Sequence, residues 1–133
     1  MTEPAMQHIA HVTLLVPTYD EGIAFFVGTL GFELVTDTGL GGKRRWVLVR
    51  PHGGKGSAVL LAEASTDRQR ARIGDQTGGR VGFFLFTDNF EADHRQLVEK
   101  GVVFLEEPRR EAYGTVAVFL DPFGNSWDFL QPA

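Results

Sequence analysis

The chain has 133 residues, of which 43% are hydrophobic and 23% charged, with a formal net charge of -4 and no cysteine. This is the composition of an ordinary globular protein; the acidic balance argues against nucleic-acid binding, and the missing cysteine excludes disulfides and thiolate chemistry. The N-terminal MTEPAMQHIA lacks the basic and apolar regions of a signal peptide. No apolar run approaches the ~18 residues of a membrane span. We therefore expect one domain, residues 1–133, in a cytoplasmic protein that binds neither nucleic acid nor membrane.

The first half of the chain predicts a strand, a helix and three more strands. HIAHVTLLV (8–16) is rich in β-branched and aliphatic residues, which is typical of a strand. Thr18 and Glu21 form a capping-box pattern at the start of a helix that Gly31 would end. Three predicted strands follow, separated by glycine-rich turns: FELVTDT (32–38), RRWVLVR (44–50) and AVLLAEA (58–64).

The second half repeats this order after a polar segment, residues 65–79, that predicts a loop or short helix. RVGFFLFT (80–87) predicts a strand, Asp88 with Glu91 predicts a helix start, and Gly101 predicts its end. Three further strands are predicted: VVFLEE (102–107), TVAVFLD (115–121) and SWDFLQ (126–131).

Corresponding landmarks of the two halves are separated by a nearly constant number of residues. The separation is 70 residues for Thr18–Asp88, Glu21–Glu91 and Gly31–Gly101, and 71 for Pro51–Pro122 and Gly53–Gly124. Five matches in order indicate a duplicated βαβββ unit, with repeats at about 7–64 and 80–131 and a linker at about 65–79. We expect an α+β fold in which the two repeats form an open cup of curled mixed sheets, with a helix on the outer face of each half. A pocket would lie in this cup.

Three segments resemble the vicinal-oxygen-chelate superfamily: HVTLLV (11–16), FFVGTLGFELV (25–35) and DPFGNSWDFLQ (121–131). That superfamily includes glyoxalase I, fosfomycin- and bleomycin-resistance proteins, extradiol dioxygenases and methylmalonyl-CoA epimerase. The resemblance covers roughly residues 7–131 and implies the fold described above. It also implies a homodimer, because members of the family often pair their subunits.

The resemblance further implies a divalent metal ion, such as Ni, Co, Zn, Mn or Fe, held by side chains from the first and last strands of each half. His11 and Asp128 match two of these ligand positions. The other two positions hold residues that cannot bind metal. They are Gly82, or Val81 by the 70-residue offset, in the fifth strand and Val59 or Leu60 in the fourth. Glu63 lies nearby, but strand alternation and its distance along the strand argue against a role as metal ligand.

Strand alternation places His11 on one face with Thr13 and Leu15. His11 is either a metal ligand, a general base in the cup or a hydrogen-bonded core histidine. In the last strand Asp128 points away from the side of Trp127 and Phe129, so the aromatic side would pack under a helix. Asp128 would then face the cup as general base or metal ligand, or be a solvated strand residue.

Five further residues are candidates for substrate binding or catalysis. Tyr113 is either a hydrogen-bond donor at the rim or an ordinary loop residue, and Trp46 is a core residue or a ligand platform. Arg80 could clamp an anionic substrate or be a solvated strand end. Phe84 and Phe86 share the face of Gly82 and would line the cup together with Thr13.

Three functions are consistent with these residues. The first is a metal-dependent lyase, isomerase or dioxygenase acting on a small oxygenated metabolite through His11 and Asp128. The second is a non-catalytic protein of the bleomycin-resistance type that sequesters a small, partly aromatic ligand. The third is a metal-free enzyme with Asp128 or His11 as general base. The two lost metal positions and the 11 Phe favour the second function.

Overall fold

The computed structural model describes residues 3–133, which form two mixed β-sheets with few helices. The first half contains β1 (His11–Val16), α1 (Tyr19–Ile23), β2 (Glu33–Gly41), β3 (Arg44–Arg50) and β4 (Ala58–Glu63). A π-helical segment, Ala24–Thr29, continues α1. The remainder contains α2 (Asp67–Arg70), β5 (Phe83–Phe86), α3 (Phe90–Glu99), β6 (Val103–Phe104), β7 (Arg109–Glu111), β8 (Gly114–Leu120) and β9 (Ser126–Pro132). Within this part of the chain no helix could cross a membrane, and α3, an α-helix of 10 residues, is the longest.

The two sheets share one topology. Sheet one has the order β1-β4-β3-β2, with β1 parallel to β4, and sheet two has the order β5-β9-β8-β6, with β5 parallel to β9. The short strand β7 pairs with β8 outside this path. The predicted α+β fold, an open cup of two curled mixed sheets, is therefore confirmed.

The first helix begins as the sequence predicts. The Thr18 hydroxyl accepts a hydrogen bond from the Glu21 N–H (3.1 Å) and donates one to the Glu21 carboxylate (2.9 Å). The first of these bonds satisfies a backbone donor that the first turn of a helix leaves free. Gly31 and Gly101 follow the two helices with φ of 83° and 87°, a conformation that glycine adopts without steric cost.

The predicted start of α3 is wrong by one residue. Asn89, not Asp88, caps the helix, and its side chain accepts a hydrogen bond from the Ala92 N–H (3.5 Å). The Thr87 N–H donates to the Leu130 carbonyl of β9 (2.9 Å), so the chain stays paired with the sheet one residue beyond the end of β5. The non-helical backbone that a cap requires then falls at Asn89, where φ is -146° and ψ is 69°.

Strand boundaries differ most from the predictions in the second half. The predicted strand at 102–107 is reduced to β6, and β7 was not predicted. The Val118 N–H of β8 donates to the Glu106 side chain (3.1 Å) rather than to a backbone carbonyl, so the ladder is interrupted there. The predicted strands at 8–16 and 80–87 are likewise shorter, and the predicted short helix in the linker is α2.

The helix-facing sides of both sheets meet in one hydrophobic core. Phe26 lies 5.6 Å from Trp127 between ring centroids and so connects the first helix to the second sheet. Phe90 of α3 packs on Phe129 of β9 at 5.2 Å. As the alternation predicts, Trp127 and Phe129 are buried beneath helices, each 3% exposed. The opposite sides of the sheets, which we call the inner faces, are left without a helix.

Each long helix is also anchored to the end of the last strand of its own sheet. The Tyr19 N–H at the start of α1 donates to the Glu63 carboxylate of β4 (3.0 Å). The Phe90 N–H at the start of α3 donates to the Gln131 side-chain oxygen of β9 (2.8 Å). Glu63 is thus engaged in holding the helix, in agreement with the expectation that it is not a ligand on the inner face.

Candidate functional site

Asp128 lies half-buried on the inner face of sheet two. Its neighbours in the strand, Trp127 and Phe129, are in the core, so the pleat directs the carboxylate to the opposite side. The residues directly beside it in register are Phe84 on β5 and Val118 on β8. A carboxylate therefore stands between two apolar side chains.

The apolar surroundings of Asp128 extend to the next row of the sheet. There Phe86 lies opposite Leu130, and Leu130 lies opposite Val116. The phenyl side chains of Phe84 and Phe86 are 64% and 60% exposed. We call this surface the Asp128 face and define it by six residues: Phe84, Phe86, Val116, Val118, Asp128 and Leu130.

Arginines neutralise several other carboxylates but not Asp128. Side-chain hydrogen bonds from Arg50, Arg45 and Arg109 lower the pKa of Glu33, Asp37 and Glu106, respectively. Among residues 3–133 the carboxylate of Asp128 forms neither an ion pair nor a hydrogen bond with the rest of the chain. Covering such a group without a partner is unfavourable, because an ionised carboxylate loses its hydration.

The inner face of sheet one carries His11, Thr13 and Trp46. The imidazole of His11 contacts the indole of Trp46 edge-on, with ring centroids 5.8 Å apart. Trp46 is 37% exposed and His11 is exposed as well, so neither is a core residue. In register, Thr13 lies beside Leu60. Leu60, one of the two residues considered above for a metal position in the fourth strand, has an apolar side chain.

Tyr113 and Arg80 lie away from the middle of the Asp128 face. Tyr113, 56% exposed, is in the turn before Gly114, the first residue of β8. Val118, the residue opposite Asp128, comes four residues after Gly114, or about 13 Å along the strand. Among residues 3–133 no hydrogen bond joins Tyr113 to Asp128; the Tyr113 side chain lies instead near Arg109. Arg80 is exposed and lies just before β5.

The described residues cover part of the Asp128 face, since Val116 is 0% and Leu130 7% exposed, but they leave Phe84 and Phe86 open. A small cavity of about 30 Å³ lies beside Arg80 and Ser126 at the beginning of β9. A shallow groove runs between Phe25 and Phe123 on the helix side. Neither is lined by a residue of the Asp128 face, whose two phenyl rings remain exposed.

The donor set does not fit a divalent metal ion within one chain. His11 is on β1 and Asp128 on β9, in different sheets. Nowhere in residues 3–133 do three or more His, Asp or Glu side chains come together as a metal site would require. The remaining positions that the resemblance implies, Gly82 or Val81 and Val59 or Leu60, carry no side chain that can bind a metal.

Gln76 is a residue whose role the sequence did not indicate. Its side-chain oxygen accepts a hydrogen bond from the Leu15 N–H (2.8 Å), and its amide nitrogen donates to the Thr13 carbonyl (3.1 Å). The linker thereby occupies the free edge of β1, the strand that carries His11. The partners are 61 residues apart in sequence, so no local pattern reveals the contact.

The fold and these motifs agree with a known family. The profile of the Glyoxalase/Bleomycin resistance protein/Dioxygenase superfamily matches residues 8–129. The chain belongs to this superfamily, which confirms the resemblance drawn from HVTLLV, FFVGTLGFELV and DPFGNSWDFLQ.

Similar proteins extend over nearly the whole chain. An uncharacterized protein of Shewanella frigidimarina (strain NCIMB 400) is 47% identical over 126 residues, 94% of this chain and 93% of its own. The structure of TnmS3, an antibiotic binding protein from Streptomyces sp. CB03234, superposes with a TM-score of 0.78 at 30% identity, covering 98% of this chain and 100% of its own. The structure of UcmS2 gives a TM-score of 0.79 at 29% identity, covering 95% and 98%.

Proposed function

We propose that this protein binds a small, partly aromatic organic molecule on the Asp128 face and holds it without chemical change. The observation that carries the proposal is the pair of exposed phenyl side chains, Phe84 and Phe86, at consecutive inner-face positions of β5. Large exposed apolar groups on a folded protein commonly mark a site of contact with a ligand or partner. The similarity to TnmS3, an antibiotic binding protein, supports a ligand of antibiotic type.

Aromatic rings at these positions provide substantial binding energy. Covering one phenylalanine side chain contributes ~1.5–3 kcal/mol. Two such rings on one face of a strand offer apolar surface to an aromatic ligand. Thr13, Trp46 and His11 on the other inner face, with Arg80 at the edge, are the further ligand-contacting residues in this proposal.

We also propose that a second copy of the chain completes the site. The described residues bury Val116 and Leu130 of the Asp128 face but leave its phenyl rings more than half exposed. A homodimer, as the superfamily resemblance implies, would bring an inner face of the partner over these rings and create a closed pocket.

A metal-dependent lyase, isomerase or dioxygenase has less support. His11 and Asp128 are two donors in different sheets, and Tyr113 lies far along β8 from the position opposite Asp128. The exposed aromatic pair is a feature of binding and requires no reaction.

The experiment is a calorimetric titration of 1-naphthylmethanol into the wild-type protein and the variants Phe84→Ser and Phe86→Ser. Each variant is expected to weaken binding about tenfold or more, because it removes the apolar surface of one ring. Val98→Ser is the matched control, since Val98 is 50% exposed but lies on α3, away from the inner faces. It should leave the affinity unchanged.

The probe is then recovered after prolonged incubation and analysed by mass spectrometry. Unchanged probe with the expected order of affinities supports sequestration. Failure of the wild-type protein to bind, or equal loss in all three variants, would refute the proposed site, and conversion of the probe would refute a purely binding function.

A further inference from the structure

We infer that the site selects ligands that carry a protonated amine beside their aromatic part, with Asp128 as the counter-ion. This inference rests on the proposed function and specifies its ligand class. It starts from one contrast: the Asp128 face combines two exposed phenyl rings with a carboxylate that has no partner in residues 3–133 of its own chain.

The register of sheet two fixes the geometry of this combination. Asp128 stands directly beside Phe84, and Phe86 is the next inner-face residue on the same strand. A ligand whose ring system lies on these phenyl groups therefore covers the carboxylate as well. Its atoms next to the ring system are the ones that meet Asp128.

The chemistry of that contact depends strongly on charge. An apolar or anionic group over Asp128 would remove water from the carboxylate without replacing its hydrogen bonds. A neutral hydroxyl can replace one hydrogen bond but supplies no charge, whereas an ammonium group supplies a positive charge and three donors. The faces of Phe84 and Phe86 add attraction for the same cation.

Within residues 3–133, no Lys or Arg side chain forms an ion pair with Asp128. Arg109, in the neighbouring β7, is held by Glu106 and Glu111, each at 2.8 Å. Arg80 lies beside Ser126, two residues before Asp128, yet forms no ion pair with it within the described chain. The net charge of -4 favours approach of a cation from solution.

The experiment compares three probes of one shape that differ only in charge at pH 7: 1-naphthylmethylamine, 1-naphthylmethanol and 1-naphthoate. Their affinities are measured by calorimetry for the wild-type protein, for Asp128→Asn and for Asp88→Asn. Asp88 is exposed and is not one of the six residues of the Asp128 face, so its variant makes the same change in net charge and leaves those six residues unchanged.

The wild-type protein and Asp88→Asn should bind the amine at least about tenfold more tightly than the alcohol. Both should bind 1-naphthoate most weakly. For Asp128→Asn, the affinities for the amine and the alcohol should differ by no more than about twofold. The alcohol should bind this variant as tightly as it binds the wild type. If the alcohol binds the wild type as tightly as the amine, or the amine preference survives in Asp128→Asn, the inference is overturned and the proposed function stands. If none of the three probes binds, the proposed function fails and the inference with it.

Discussion

Two aspartates, seven residues apart in one short segment, have opposite surroundings. Asp121 is 2% exposed and accepts four hydrogen bonds. One oxygen accepts from the backbone N–H groups of Phe123 (3.0 Å) and Asn125 (2.9 Å). The other accepts from the Asn125 amide (2.8 Å) and the Trp127 indole (3.0 Å). Asp121 thus closes the turn between β8 and β9, whereas Asp128 is left free to meet a ligand.

The same substitution should therefore have different effects at the two positions. Asp121→Asn should lower the free energy of unfolding by about 2–4 kcal/mol, because an amide NH₂ would face donors in a buried site. Asp128→Asn should change it by less than about 0.5 kcal/mol, since the carboxylate has no partner to lose. Urea denaturation of both variants provides the measurement. If Asp128→Asn lowered the free energy of unfolding as much as Asp121→Asn, or more, the two roles would be assigned incorrectly.

At the scale of elements, local patterns were predictable and long-range contacts were not. The alternation in β9 separated Asp128 from Trp127 and Phe129, because side-chain direction in a strand depends only on neighbouring residues. The cap at Thr18 was predicted for the same reason. The Gln76 contact with β1 joins residues 61 apart, so its side chain could have bonded elsewhere until the fold was known. Asn89 rather than Asp88 caps α3 because the backbone is still paired with β9 at Thr87. This pairing is a long-range contact that the local sequence does not reveal.

The hairpin of β2 and β3 is fixed to α1 by one arginine. Arg45 donates to the Asp37 carboxylate at 3.1 and 2.8 Å and to the Asp20 carboxylate at 2.9 Å. Its guanidinium also lies 5.2 Å from the ring centroid of Tyr19. The hydrogen bonds from Arg45 lower the pKa of Asp37 below its ordinary 3.8.

This lowered pKa predicts how the stability of an Arg45→Gln variant depends on pH. Ionised Asp37 contributes stability above its ordinary pKa of 3.8, and the contribution is lost as the pH falls through the lowered value. The variant should melt below the wild type at pH 7, and the difference should shrink as the pH falls below 3.8. Thermal melts across this range test it; a difference independent of pH would point to lost packing on Tyr19 instead.

At the scale of the whole molecule, the helix sides of the sheets share one core, whereas Phe84, Phe86 and Trp46 on the inner faces stay exposed. This asymmetry explains how one chain can fold and still present aromatic side chains to a ligand or a second copy. If a second copy covers the Asp128 face, sedimentation should give roughly twice the chain mass of 14.7 kDa. Phe86→Asp should then shift the protein toward monomer, and Val98→Asp should not. A wild-type protein that sediments as a monomer at high concentration would contradict the shared site.

The central claim is that the Asp128 face is where a ligand binds. The most direct measurement is a titration of ¹⁵N-labelled protein with 1-naphthylmethanol, followed by amide chemical shifts. The largest shifts should occur at Phe84, Phe86 and Asp128. Shifts concentrated at Phe25 and Phe123, which line the groove on the helix side, would contradict the account.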